Sequence, residues 1–299
     1  MDEPLKIMPL KILAVVCHPA DAIDGAGGTL CLHRQRGDEV TVVVCTHGVD
    51  THDLERNDAL RFGTAAQASG ATVDHTTAIG RKEQEVVEGM AILGVSDVRF
   101  LRFPDELLTV SNELIEAIAL IMAEVQPHLL IVHNPTEEGG FADVGHADSA
   151  IATLKARYLA NTPRFLSKPT GRSFPAQTFF MCMNGQTTRL TAEGHRHGDV
   201  LVDITPVVER KVRAMDCLRS QYYPGDLARK CIEIVNGRMG LHWRMPYAEE
   251  FQSMYPNGYT HLPVNEHLLR LTTTPAGKEV NKLRIMVTEV PFELSQKAS

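Results

Sequence analysis

The stretch LKILAVVCHPADAIDGAGGTL, Leu10 to Leu30, decides the fold. Leu10–Val16 is a continuous apolar run of strand length. Gly27–Gly37 reads as a short helix stopped by glycine. Between them stand His18 and Asp21, beside the inert Ala20 and Ala22. The same alternation continues outward. Glu39–Cys45, Val98–Phe103 and His128–His133 read as strands, and 55–69, 82–93 and 112–125 as helices. Ser111 serves as N-cap of the last of these, and a further helix begins near Ala147. Continuous apolar strands separated by helices predict an α/β fold, a Rossmann-like, mostly parallel sheet with helices on both faces. Ligands of such sheets bind outside the carboxyl ends of the strands.

Later segments are less regular. Phe179–Met183 and Asp199–Ile204 read as strands. Pro206–Gln221 reads as a helix capped by Thr205, and Tyr222–Phe251 as interrupted helix. The expected organisation is a single domain over 1–299, with a core of about 10–165. The portion from about 170 to 299 would pack over the strand ends.

Composition narrows the function. With 43% hydrophobic and 22% charged residues, the chain is an ordinary globular protein. A net charge of −7 argues against a nucleic-acid partner. No run approaches the length of a bilayer span, and the N-terminus lacks a signal-peptide pattern. Six scattered cysteines without a CxxC pair fit reduced thiols of a cytoplasmic protein. The expected partner is a small-molecule substrate. Self-association is left open.

Three strand-end loops carry the candidate chemistry. His18 and Asp21 can bind one divalent metal. Taken alone, their spacing is met more often by a capping pair, with Asp21 closing the helix start. The second loop, THGVDTHD, offers His47, Asp50, His52 and Asp53 as replacement ligand or base, or as a polar surface turn. The third offers His133, Glu137, Glu138, Asp143, His146, Asp148 and Ser149. An Asp that orients a His suits a general acid. The glycines do not form G-x-G-x-x-G, and strand two ends without the acid that holds a ribose, so a dinucleotide site is not expected. Arg238, His242 and Arg244 could face a carboxylate substrate, or form a surface helix turn.

CHPADAIDGAGGTL and GHADS, with EVTVVVCTHG and ILGVSDVRFLRFPDE between them, resemble the PIG-L/LmbE-like family of zinc-dependent N-acetylglucosaminyl deacetylases. The resemblance runs from about Leu10 to Phe251. It implies the LmbE-like fold, a bound zinc ion, and His18 and Asp21 as metal ligands. It also implies a role for His146, partnered by Asp148, in stabilising the reaction intermediate. This chain is a divergent member, because the family's general base falls at Ala20 and its third ligand at Ser149. Alanine takes no proton, and serine is a poor zinc ligand. Three readings follow. One is a metal-dependent hydrolase of an amide bond with a rewired site. Another is a hydratase of the 4-oxalomesaconate type, acting on an unsaturated carboxylate. The third is a non-catalytic small-molecule-binding homologue.

Overall fold

A computed structural model describes residues 8–63, 75–136, 144–183 and 198–287. The strands are β1 (Lys11–Val16), β2 (Glu39–Thr46), β3 (Asp97–Phe103), β4 (Leu129–His133), β5 (Gln177–Met181), β6 (Val200–Asp203) and β7 (Ala248–Ser253). They form one seven-stranded sheet in the order β3-β2-β1-β4-β5-β7-β6. β1 to β5 pair in parallel, while β7 runs antiparallel to both β5 and β6. The order reverses between β1 and β4, and in such a sheet the crevice for a ligand opens at that reversal.

Alternation along β1 divides the core. Ile12, Ala14 and Val16 pack on one side with α1 (Asp21–Arg36), α2 (Leu54–Phe62) lying further out, and α3 (His75–Ile92). Leu13, Val15 and Cys17 pack on the other with α4 (Asn112–Val125) and α5 (Val144–Ala160). Successive strand side chains point to opposite faces, so one buried strand serves two hydrophobic layers. Ser111 accepts a hydrogen bond from Leu114 N at 3.2 Å, as an N-cap should.

The first helix corrects the sequence reading. It begins at Asp21 rather than Gly27, so the glycines lie inside it. A Cβ on Gly28 would stand 2.6 Å from Ile204 Cγ2. That close approach admits Glu249 of β7, whose carboxylate accepts from Gly28 N (2.8 Å) and Thr29 N (2.7 Å). Lys211 pairs with Glu249 at 2.8 Å and donates to Asp24 O at 2.5 Å. Both charged side chains are buried.

The C-terminal portion also departs from expectation. Pro206–Gln221 divides into a 3-10 turn (Thr205–Val207), α6 (Val208–Met215) and a second 3-10 turn (Arg219–Gln221). Thr205 is not the cap; its hydroxyl accepts from Tyr247 N at 3.2 Å. Next come α7 (Asp226–Ile232), a π-helical turn (Glu233–Gly237) and α8 (Arg238–His242). β7 then replaces the expected helix end. Its AEEFQS carries two glutamates that read as solvent-facing, yet both are buried. Two short helices, α9 (Glu266–Thr273) and α10 (Ala276–Lys282), follow. β6 and β7 extend the sheet, and α6 packs on α1 and α3. Among the described residues, no helix is long and apolar enough to cross a membrane.

Candidate functional site

The carboxyl ends of β1 and β4 bring His18, Asp21, His133 and His146 together around one oxygen. His18 follows β1, and Asp21 opens α1 one tight turn later. His133 ends β4, and His146 lies in the first turn of α5. Gly145 allows α5 to start this close, because a Cβ there would overlap Cys17 Sγ. Asp21 Oδ2 accepts from His18 N at 2.6 Å. The same oxygen lies 3.0 Å from His133 Nε2, 3.3 Å from His146 Nε2 and 3.5 Å from His18 Nδ1. The His133 and His146 rings stack, with centroids 3.8 Å apart.

All four side chains are buried. Burial alone would raise the Asp21 carboxyl, but the imidazoles of His146, His133 and His18 around it, and the His133 hydrogen bond, outweigh burial and hold it well below the usual carboxylate range. Burial pushes His133 down to about 4, with His146 adding to the effect. His133 Nε2 also lies 3.1 Å from Cys17 N. Cys17 N–H donates to that nitrogen, so Nε2 is contested between accepting from the backbone and donating to the carboxylate.

His18, Asp21 and His146 each offer one ligand atom, all within 4.8 Å of one another. Two imidazoles and a carboxylate are a donor set suited to a divalent metal with an open position. His18 Nδ1 is buried, with no hydrogen-bond partner among the described residues. A buried acceptor left in that condition fits a ligand nitrogen.

Other sequence candidates fall into three groups. Ser149 donates to His146 O at 2.8 Å, a bond within its own helix, and takes no part in the cluster. Asp148 stands two residues from His146 on α5. Side chains at that spacing do not face each other, and the described carboxylate that meets His146 is Asp21. His52 of the second loop reaches the cluster, its ring centroid 4.0 Å from that of His18. His47 does something else: its Nδ1 meets Asp105 Oδ1 at 2.8 Å. Asp53, expected as a ligand or base, is already engaged. It caps α2 by accepting from Arg56 N at 3.0 Å and pairs with Arg81 at 2.6 Å.

Arg238 and Arg244, expected to face a carboxylate substrate, are both exposed. Arg238 is exposed and lines a surface hollow with Glu233, Leu241, Pro246 and Ile285, none from the three loops. Arg244 is exposed in a left-handed turn, at φ 57°. His242 closes α8, and its side chain, like Glu137, Glu138 and Asp143, lies outside the described residues. Sequence reasoning missed Lys82, Asp105 and His75. Lys82 is fully buried and donates to His52 O (2.8 Å) and Ser220 Oγ (3.1 Å). Its helical position gives no sequence cue to that contact.

Comparison with known proteins shows what the chain is similar to. Residues 13–156 match the PIG-L family, described as GlcNAc-PI de-N-acetylase. Over that segment, just under half of the chain, it is similar to the PIG-L family. A deacetylase of 1D-myo-inositol 2-acetamido-2-deoxy-alpha-D-glucopyranoside from Mycobacterium sp. (strain KMS) is 25% identical over 72% of this chain and 75% of its own length. A 4-oxalmesaconate hydratase from Pseudomonas putida is 24% identical over 86% and 92%. In solved structures, the 4-carboxy-2-hydroxymuconate hydratase GalB of Pseudomonas putida KT2440 superposes with a TM-score of 0.64. That match has 20% identity and covers 85% of this chain and all of the other. The N,N'-diacetylchitobiose deacetylase of Pyrococcus horikoshii gives 0.60 at 20% identity, covering 84% and 88%. Likeness at this level shows a shared fold. The PIG-L match ends at 156, short of the C-terminal strands that brace the domain.

Proposed function

We propose that this chain is a divergent PIG-L-type, metal-dependent hydrolase that cleaves the N-acyl amide bond of a small polar molecule. The observation that carries the reading is the convergence of His18, Asp21 and His146. His146 takes the place left empty by Ser149, so the donor set is complete without the family's last histidine. A divalent cation, with zinc as the ion of choice for this donor set, would supply Lewis-acid polarisation of a carbonyl and acidify water. The protein's own groups do the rest. Asp21 is kept ionised, and His133 fixes its carboxylate through the buried Nε2 contact. Ala20, at the family's base position, accepts no proton. His52, packed at a tilt against His18 and partly open to solvent, is the group placed to accept one.

A second reading, hydration of an unsaturated carboxylate, draws on Ala20 together with the near-full-length match to the 4-oxalmesaconate hydratase. Water addition can take its base from another loop, so the alanine weighs less against it.

Protein stripped of metal and reloaded with zinc should be offered N-acetylglucosamine derivatives and, separately, 4-oxalomesaconate. Amine release from the former supports the hydrolase. Loss of the conjugated-alkene absorbance of the latter, without amine release, replaces it with the hydratase. Zinc uptake with neither reaction would refute both in favour of a binding protein.

A further inference from the structure

The second loop divides its side chains between two clusters. His52 faces His18, while His47 and Asp50 turn toward α3. There, His75 Nε2 lies 3.1 Å from Asp50 Oδ2, and His47 Nε2 lies 3.8 Å from the same oxygen. The His47 and His75 rings meet edge to face, with centroids 4.8 Å apart. The three atoms lie within 4.8 Å of one another. We propose that His47, Asp50 and His75 form a second divalent-cation site, of the zinc class, separate from the His18–Asp21–His146 cluster.

The surroundings argue for ligation. Donors on one tetrahedral zinc ion, about 2 Å from it, stand roughly 3.3 Å apart, close to the observed separations. At 3.8 Å, His47 Nε2 is too far from Asp50 to be explained by a hydrogen bond. The other face of His47 is fixed, since Nδ1 lies 2.8 Å from Asp105 Oδ1. With the proton on Nδ1, Nε2 presents its lone pair toward Asp50 and His75. A carboxylate behind a histidine is the usual arrangement that orients a metal-binding imidazole. Asp105 is itself held by Thr51 N at 2.8 Å, so the support is built into the loop. Arg56 lies 3.3 Å from Asp50 Oδ1, the oxygen that the cation would not use. Buried His47 makes one wall, while half-exposed His75 leaves an open side. The acid-plus-imidazole set selects a borderline ion such as zinc over calcium or magnesium, which favour all-oxygen sites.

A cation here would tie the second loop to the start of α3 and thereby steady His52 against His18. The inference does not depend on the proposed reaction, because it concerns binding alone. The test is zinc stoichiometry by equilibrium dialysis and elemental analysis on stripped, full-length protein. Wild type should take up two zinc ions per chain, and His75→Ala, Asp50→Asn and Asp21→Asn one each. Asp21→Asn combined with His75→Ala should take up none. His75 is exposed, so its variant should fold, and circular dichroism checks this. If wild type binds one ion and His75→Ala still binds it, the second site is refuted. If wild type binds one ion that His75→Ala loses and Asp21→Asn keeps, the second site stands and the first falls. Two ions retained by both His75→Ala and Asp50→Asn would also refute it.

Discussion

His146 Nε2 lies 3.3 Å from Asp21 Oδ2, joining the first turn of α5 to the first turn of α1 across the ends of β1 and β4. On the proposed reading His146 serves as a ligand rather than as an acid held by Asp148. His146→Ala should weaken zinc binding at this cluster by more than the roughly 10–100-fold typical of losing a supporting group. Asp148→Ala should change it little. Competition against a chromophoric chelator reads both. Equal losses in the two variants would return His146 to the role of an oriented acid.

Restoring the family's base tests the alanine. Ala20 is buried, with helical backbone angles before α1. Ala20→Asp should raise amide hydrolysis by about 10²–10⁴ if a base is the missing part. Adding Ser149→His should bring nothing more. Ser149 is buried and bonded to His146 O, and overpacking there should cost about 1–3 kcal/mol. Initial rates and melting temperatures of the single and double variants settle the point. A double variant that alone is active would show His146 is no substitute.

Lys82 gives the protein an alkaline signature. Burial pushes its ammonium from 10.5 down to about 8, against the pull of Glu85, Asp53 and Asp105. Between those values the unfolded chain holds a proton that the folded protein has lost. Stability therefore rises as pH climbs through this window, by roughly 3 kcal/mol. Lys82→Met should lack that rise in urea unfolding at about pH 8 and about pH 10. Parallel slopes in the two proteins would show that Lys82 is not the source.

The Lys211–Glu249 pair tests the brace behind α1. Lys211→Met leaves Glu249 charged and buried, which should cost about 3–5 kcal/mol of unfolding free energy. Adding Glu249→Gln should recover part of it, because the amide oxygen still accepts from Gly28 N or Thr29 N. Guanidinium unfolding measures both. A cost under about 1 kcal/mol would mean that water reaches the pair.

Legibility followed the physics of each segment. The parallel strands were readable because burial on both faces favours unbroken apolar runs, as in Ile12–Cys17 and Val42–Cys45. His18 and Asp21 stood out because a polar pair follows such a run directly. β7 was hidden because Glu249 and Glu250 look like solvent-facing residues until Lys211 and the N–H groups of α1 are placed beside them. The start of α1 was hidden because the glycines that invite a loop serve close packing instead. The partner of His146 lay beyond reach for a similar reason. Local spacing offered Asp148, while the fold supplied Asp21 from the other end of the sheet's central crevice.

Glu249 holds the backbone of α1 from a strand far beyond residue 156, where the family match ends. Homology and foldability thus part company here. A fragment trimmed to the matched segment would keep His18, Asp21 and His146 in sequence. It would still discard the carboxylate that answers two amides of α1, the lysine that neutralises it, and the isoleucine seated on Gly28. Any minimal version of this domain must therefore run at least through Ser253, the end of β7.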